Sequence, residues 1–404
     1  MTGAPIVVLD LGSAGVKCLV GEALDGEQLK IIGWGDAPCK GLRNGQVIDM
    51  PAVVAAIRHS VDAAERSAGL SISGAYMGIS GEAVSTSTCN SAIAISGSSS
   101  AIDEDDLQRA VATAEQSEVP QDRRVLHRFT YRYTVDGQEV KTPLWLHGNR
   151  LEVEMLNITA AEAACGTLER AAATAGIEVV GFVHSSLALS SLLVSSDERD
   201  MGIAVIDLGA GSTDLALFHQ GSLRHLESIP YGGADITKDI AVVLGTSHGE
   251  AENLKSEYGY VGRPFEETPA DVEFRTTAGR RHTIAADQLA AIVEARQREI
   301  LEFAATAIRR QMGEQGLAAG VVISGGGALL ENVVELAEEV LGLPVRQGRA
   351  HDLSGAEAVH APPYTTACGL LHFTLFDQQE AGVAPVPAAP DGFLNKLARI
   401  FSLL

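Results

Sequence analysis

The sequence predicts an α/β protein with two similar lobes facing each other across a cleft, a small inserted α+β subdomain and a C-terminal amphipathic helix. A strand–turn–strand pattern occurs twice, as PIVVLDLGSAGVKCLV and as GIAVIDLGAGSTDLAL, with Asp10 and Asp207 in equivalent places. The stretch 83–160 differs in character from its surroundings, and a Pro/Ala-rich segment sets 392–404 apart. One Gly-rich turn would indicate only a hairpin, whereas two copies half a chain apart indicate two related lobes.

Composition limits the class of protein. Hydrophobic residues form 46% of the 404-residue chain and charged residues 20%, which supplies enough apolar material for large cores. The net charge of −22 argues against general nucleic-acid binding, because an acidic surface repels phosphate. The 5 scattered cysteines form no Cys-x-x-Cys pair, which predicts reduced thiols in a cytosolic protein. No apolar run reaches the roughly eighteen residues that a membrane span requires.

The chain divides where its pattern changes. Amphipathic helices are predicted over 51–68 and 161–175, and the acidic residues from Asp103 onward suit a helix N-terminus. The strand-like runs RFTYRYTV and RLEVEMLNI indicate an α+β module, whereas 233–300 is predicted to be mostly helical with a polar middle. Lobe 1 is predicted over 1–82 and 161–199, with the inserted subdomain over 83–160. Lobe 2 is predicted over 200–232 and 301–376, the latter with a return to lobe 1, and the outer subdomain of lobe 2 over 233–300. A flexible linker over 377–391 and an amphipathic helix over 392–404 complete the predicted segments.

Both repeated turns carry residue types that bind phosphate. Because glycine lacks a Cβ, the backbone N–H groups at Gly12, Gly209 and Gly211 can approach a phosphate chain closely. Lys17 would neutralise phosphate charge, and hydroxyl groups would donate further hydrogen bonds. The predicted hydroxyl donors are Ser13, Ser212 and Thr213.

The two aspartates that precede the turns have a different predicted role. The carboxylates of Asp10 and Asp207 repel phosphate, so they make chemical sense as groups that hold a Mg²⁺ through water. The alternative is that each carboxylate only caps its hairpin.

A third glycine-rich loop follows a predicted buried strand and precedes a predicted helix. Its residues Gly325, Gly326 and Gly327 would allow close approach of a flat adenosine. The chain lacks the GxGxxG and GxxxxGK[ST] spacings, which disfavours Rossmann-type and P-loop sites.

The order VVLDLGSAGVK, AVIDLGAGSTD, VVISGGG resembles the two phosphate motifs and the adenosine motif of the actin/Hsp70/sugar-kinase superfamily. The resemblance implies an actin-like two-lobed ATPase fold that binds ATP with Mg²⁺ between the lobes. It also implies that Glu252 and Lys255, in GGADITKDIAVVLGTSHGEAENLK, contribute to the adenosine pocket. The alternative for this pair is a solvated helix face.

Within that superfamily, most of the chain resembles the bacterial cell-division family FtsA. The resemblance rests on IIGWGDAPCKGLRNGQVID, RRVLHRFTYRYTVDG, LRHLESIPYGGADITKDIAVVLGT and PPYTTACGLLHF, on an FtsA-type insertion at 83–160 and on the tail at 387–404. It implies a peripheral protein at the cytoplasmic face of the inner membrane and the division septum. Such a protein binds the C-terminal peptide of the tubulin-like FtsZ through about 233–300, forms filaments and recruits later division proteins. Arg280 and Arg281 are candidates for meeting an acidic peptide, and a solvated loop is the alternative.

Two other functions remain open at this point. A pilus-assembly adaptor resembling PilM would share the inserted subdomain, but the amphipathic tail after a linker argues against it. A small-molecule kinase of the same superfamily would need a catalytic Asp in a substrate cleft, and no such signature is found.

No catalytic residue is predicted. Many superfamily members place a Glu or Gln that orients the attacking water at a strand–helix junction before the second phosphate turn. In VGFVHSSLALSSLLV this place falls near Ser185, and the adjacent His184 is as easily explained by packing. Without a carboxylate or amide there, the site lacks a side chain that can orient and activate the attacking water. We therefore expect ATP to act as a conformational ligand with slow hydrolysis at most.

The last segment, GFLNKLARIFSLL, has the spacing of an interfacial amphipathic helix. Apolar side chains recur at helical spacing, and two cations share the polar face. We expect lipid to induce this helix, because so short a helix is marginal in water, and the alternative is a helix docked on the core. The predicted membrane-contacting residues are Phe393, Leu394, Lys396, Leu397, Arg399, Ile400, Phe401 and Leu404.

Overall fold

The computed structural model describes residues 5–24, 28–95, 101–116, 119–264, 268–313, 316–350, 353–355 and 357–377. The predicted linker over 377–391 and the predicted amphipathic helix over 392–404 lie outside these residues, apart from Asp377. No helix in the described part is long and apolar enough to cross a membrane.

The first lobe begins with three antiparallel strands and continues through a helix to a parallel strand. Its elements are β1 (Ile6–Leu11), β2 (Gly15–Ala23), β3 (Leu29–Pro38), β4 (Leu42–Arg43), β5 (Gln46–Val47), α1 (Met50–Ala68) and β6 (Gly74–Ile79). The Asp49 side chain caps α1 by accepting a hydrogen bond from the N–H of Ala52, and Gly69 ends the helix in the left-handed conformation. The predicted helix over 51–68 is confirmed.

The inserted subdomain is a four-stranded antiparallel sheet with one helix. Its elements are β7 (Val84–Ala94), α2 (Glu104–Glu115), β8 (Arg123–Val135), β9 (Gln138–Val140) and β10 (Arg150–Ala161). The strand order is β7-β10-β8-β9, and a separate hydrophobic cluster that includes Leu151 and Met155 lies between sheet and helix. Asp103 and Asp106 form a capping box at the start of α2, which explains the acidic run there. The predicted α+β module is therefore present.

The chain then returns to the first lobe before it enters the second. The returning elements are α3 (Glu162–Ala175), β11 (Glu178–His184), α4 (Ser185–Leu193) and α5 (Ser196–Met201). Strand β11 pairs parallel with β6 and extends the first sheet.

The second lobe repeats the strand plan of the first. Its elements are β12 (Ile203–Leu208), β13 (Thr213–His219), β14 (Ser222–Ile229), α6 (Gly233–Leu244), α7 (His248–Tyr258), β15 (Asp271–Arg275), β16 (Arg281–Ala285), α8 (Ala286–Met312), β17 (Val321–Ser324), α9 (Val333–Leu341) and β18 (Val345–Gln347). The order β14-β13-β12-β17-β18 matches β3-β2-β1-β6-β11 strand for strand, with antiparallel and parallel pairs in the same places. The repeat in the sequence is thus a repeat in topology. The short β19 (Leu353–Gly355) pairs with β3, and α10 (Thr365–His372) packs back on the first lobe.

The outer subdomain differs in detail from the mostly helical segment that the sequence suggested. Its polar middle is the hairpin β15–β16, in which Val272 and Phe274 are buried and alternate with exposed residues. Helix α8 continues through the expected boundary between 300 and 301 without interruption.

The central strand of the second lobe contributes to two hydrophobic cores. Ile203 and Val205 on β12 pack in the cluster that also holds Leu187 of α4 and Leu370 of α10, while Ile206 packs in the core of the second lobe. Burial on both faces explains why β12 is apolar without alternation. This shared packing holds the first turns of both sheets close together.

Candidate functional site

A cavity of about 330 Å³ lies between the first turn of lobe 1 and several elements of lobe 2. It is lined by Ala14 from the β1–β2 turn, by the β12–β13 turn, by α6, α7 and α8, and by the loop after β17. The predicted residues that line it are Gly209, Thr213, Glu252, Lys255, Gly326 and Gly327. The predicted residues that stand in adjoining turns and strands without lining it are Asp10, Gly12, Ser13, Lys17, Asp207, Gly211, Ser212 and Gly325.

The two repeated turns touch each other. Each turn is first closed by a hydrogen bond of its own. In the first, the N–H of Gly12 donates to the Gly15 carbonyl at 3.0 Å, and in the second, the N–H of Gly209 donates to the Ser212 carbonyl at 3.0 Å. A Cβ on Gly211 would lie 2.3 Å from Oγ of Ser13, so a side chain there would push the turns apart. Glycine at 211 therefore permits the close approach of the two lobes.

The three glycines after β17 have unequal roles. Gly325 has a φ of 84°, and a Cβ there would lie 2.2 Å from Oδ1 of Asp207. A Cβ on Gly327 would lie 2.8 Å from Cβ of Leu208. These two glycines let the 3₁₀ turn Gly326–Leu329 pack directly on β12. Gly326 lines the cavity, and a Cβ added there would meet no atom within 4 Å.

Three aspartates stand near the turns. Thr366 Oγ1 donates to Oδ2 of Asp207 at 2.9 Å, while burial, with the negative charges of Asp214 and Asp10, raises the pKa of Asp207 to about 7. Burial also raises the pKa of Asp214, although the hydroxyl of Ser212 donates to its carboxylate at 3.2 Å. Asp214 was not among the predicted residues, although it is the last residue of the quoted AVIDLGAGSTD.

Lys17 has a partner within its own hairpin. Its Nζ lies 3.5 Å from Oδ2 of Asp10, because the two residues are opposite each other in the β1–β2 register. The Lys17 ammonium is thus paired within its own hairpin, and its side chain does not line the cavity.

The donor set fits a divalent cation. Burial and the neighbouring negative charges raise the pKa of Asp207, and a cation at such a carboxylate can replace the proton. Asp10 and Asp207 would hold Mg²⁺, which prefers oxygen ligands and keeps several waters. In the described ranges, no group of three or more His, Cys, Asp and Glu side chains is arranged to hold a metal.

Glu252 and Lys255 form one network at the cavity wall. Lys255 Nζ donates to Glu252 at 2.9 Å, to the Gly233 carbonyl at 3.0 Å and to Thr237 at 2.8 Å. Burial raises the pKa of Glu252, but hydrogen bonds from Thr237 and Lys255 outweigh it and hold this pKa below its usual value. The network ties α7 to the first turn of α6, so the pair does more than cover a solvated helix face.

Curated relatives match nearly the whole chain. The cell-division protein FtsA of Pseudomonas aeruginosa is 32% identical over 94% of this chain and 91% of its own. FtsA of Bacillus subtilis is 35% identical over 91% of this chain and 82% of its own.

The chain belongs to the FtsA family.

Family models agree with this assignment. The model described as cell division protein FtsA matches residues 204–369, and the model of the SHS2 domain inserted in FtsA matches residues 81–159. The chain is therefore an actin-like protein of the FtsA cell-division family, as expected from the motifs.

Solved structures show the fold at lower identity. The PilM–PilN type IV pilus biogenesis complex matches with a TM-score of 0.62 at 17% identity, over 92% of this chain and 98% of that chain. MreB5 of Spiroplasma citri bound to ADP matches with a TM-score of 0.56 at 15% identity, over 91% and 95%. These likenesses confirm the actin-like fold. The identity to FtsA relatives decides the family in favour of FtsA over the pilus adaptor.

The Ser185 position lies at the junction of β11 and α4. His184 ends the strand, and its backbone N–H donates to Nε2 of His127 in the inserted subdomain at 3.2 Å. Burial lowers the pKa of His184 to about 4, so its imidazole is neutral at physiological pH. Ser185 follows as the first residue of α4 and is buried. His184 is thus a buried, neutral side chain at this junction.

Sequence reasoning missed the part of the cavity wall that α8 supplies. Gln297 and Ile300 line the cavity from one face of this helix, and Ile236 of α6 and Leu330 lie on the same lining. A single Gln on an amphipathic helix belongs to no motif. Only the packing of α8 against the rest of the lobe reveals it.

Proposed function

We propose that this FtsA-family chain is an ATP-binding adaptor that tethers FtsZ to the cytoplasmic face of the inner membrane at the division septum. The observation that carries the proposal is the combination of FtsA membership with a cavity that both glycine turns border. MreB5, which shares the fold, is described as bound to ADP.

The nucleotide would lie along the cavity with its phosphates at the two turns. The backbone N–H groups around Ala14 and Ala210 would meet the phosphate oxygens, with Thr213 beside them. Mg²⁺ held by Asp10 and Asp207 would neutralise phosphate charge. The adenosine would lie between the α7 network and the loop at Gly326.

ATP would act on conformation rather than as a rapidly consumed substrate. Because the cavity is lined from both lobes, a bound nucleotide stabilises the arrangement in which the lobes are close. The Ser185 position supplies neither carboxylate nor amide, so we expect slow turnover at most.

The outer subdomain, 233–300, is the proposed docking site for the C-terminal peptide of FtsZ. Its exposed surface includes the basic pair Arg280 and Arg281 at the β15–β16 hairpin. It also includes Val242 and Val243 on α6, which are 72% and 63% exposed. A subdomain that exposes both positive charge and apolar side chains suits an acidic peptide with hydrophobic residues.

The remaining proposed partners are lipids and division proteins. Residues 392–404 would anchor the chain to inner-membrane lipids, and self-association into filaments would multiply this weak anchoring by avidity. Filaments would also present the surface that recruits later division proteins.

A peptide pull-down with the full chain and Mg-ATP tests the adaptor proposal. A peptide of the FtsZ C-terminus should retain the wild-type chain, and Arg280→Glu with Arg281→Glu should weaken retention. Arg309→Glu is the matched control, since Arg309 is an exposed arginine of α8 beyond 233–300. Absence of retention of the wild-type chain contradicts the tethering role.

A further inference from the structure

Gln297 is a buried polar residue without an evident structural purpose. It is 3% exposed, and its Nε2 has no hydrogen-bond partner within the described residues. A buried amide donor that bonds neither protein nor water costs free energy, so such groups need a reason. Gln297 lines the cavity, which suggests that its missing partner is a ligand.

The surroundings of Gln297 suit a flat, largely apolar ring. Glycine aside, α6, α8 and the segment Leu329–Leu330 contribute only Gln297 and apolar side chains to the lining. Lys255 and Glu252, on the neighbouring α7, are already bonded to each other and to Thr237. The Gln297 carboxamide is therefore the polar group of this wall that remains to be satisfied.

We propose that Gln297 recognises the base of the nucleotide by pairing with the 6-amino edge of adenine. A carboxamide offers one acceptor for the 6-amino group and one donor for the adjacent ring nitrogen, which is the complementary pattern. The last torsion of a glutamine side chain is broad, so the carboxamide can turn toward the ring without moving α8. This inference rests on the proposed binding of ATP and adds the residue that selects its base.

The test compares two ligands that differ only at the 6-amino group. The full chain is titrated calorimetrically with ATP and with purine riboside triphosphate, which lacks that group, both with Mg²⁺. Wild type should prefer ATP by roughly tenfold, the usual order for a bidentate contact to a base edge. Gln297→Leu should weaken ATP binding by a similar factor and bind the two ligands equally.

Two further variants separate recognition from structure. Gln311→Leu is the matched control, because Gln311 is an exposed glutamine of the same helix, and it should keep the wild-type preference. Gln297→Leu removes an unpaired buried donor, so the nucleotide-free variant should melt no earlier than wild type. If it fails to fold, Gln297→Met gives the same comparison with an unbranched side chain.

The outcomes are distinct. A Gln297 variant that still prefers ATP by the wild-type factor overturns base recognition while leaving nucleotide binding intact. The same conclusion follows if wild type binds both triphosphates equally. If wild type binds neither, the proposed nucleotide function fails and this inference fails with it.

Discussion

Replacing Asp207 with Asn should have opposite effects on the nucleotide-free and the nucleotide-bound protein. The pKa of Asp207 is raised from 3.8 to about 7, first by burial and then by the charge of Asp214. The nucleotide-free fold therefore favours the neutral form of this side chain. Asn is neutral, has nearly the same shape, and its oxygen can still accept the hydrogen bond from Thr366.

The sign and size follow from linkage. A raised carboxyl pKa means that the folded state binds more protons than the unfolded state between 3.8 and about 7, so stability falls as pH rises through that window. Above about pH 7, the charged Asp207 lowers the free energy of unfolding by at most about 4 kcal/mol, because one unit of pKa corresponds to about 1.4 kcal/mol. Asp207→Asn should recover this energy at about pH 8, and only about 2 kcal/mol of it at about pH 5.

Thermal unfolding at these two pH values, with and without Mg-ATP, measures both effects. Without nucleotide, Asp207→Asn should melt higher than wild type at about pH 8, by an amount that shrinks at about pH 5. With Mg-ATP, wild type should gain stability and the variant should gain little, because an amide is a poor ligand for Mg²⁺. Asp62→Asn is the same change at an exposed position of α1. It should leave both the melting temperature without nucleotide and the shift caused by Mg-ATP as they are in wild type.

Two results would refute this reasoning. A variant that melts below wild type at about pH 8 without nucleotide would show that the Asp207 carboxylate stabilises the fold. An undiminished Mg-ATP shift in the variant would show that Asp207 does not hold the metal.

Three other predictions test the rest of the proposed function. Gly326→Asp should fold normally, because a Cβ at 326 meets nothing within 4 Å, yet it should remove the ATP-induced melting shift by placing a charge in the cavity; an unchanged shift would contradict the site. Steady-state phosphate release should fall far below the enzyme median of about 10 per second, and release near that median would show that the Ser185 position was misjudged. Deleting 392–404 should leave a folded, ATP-binding protein that no longer co-sediments with anionic liposomes, and Phe401→Glu should act like the deletion, because a carboxylate enters an apolar layer at high cost. A deletion variant that still pellets with liposomes, or that unfolds, would contradict the anchoring model.

Local patterns were sufficient for the elements that carry the site and for the start of one helix in the inserted subdomain. The strand–turn–strand hairpins, the glycine loop after β17 and the acidic start of α2 all depend on neighbouring residues, whose spacing the sequence displays directly. The hairpin β15–β16 was missed even though Val272 and Phe274 alternate with polar residues, because the signal spans only five residues. The repeat of the hairpin was enough to predict two lobes of the same topology.

By itself, then, the sequence determined the two-lobed α/β fold, the family and the residues of the three glycine loops. The tertiary structure alone decided the long-range contacts of these residues: Gly211 touches Ser13, and the buried Asp207 accepts a hydrogen bond from Thr366. It also decided that Gln297 faces the cavity. Contacts between distant residues depend on how the two sheets pack against shared helices such as α4 and α10, and no local pattern in the chain encodes that packing.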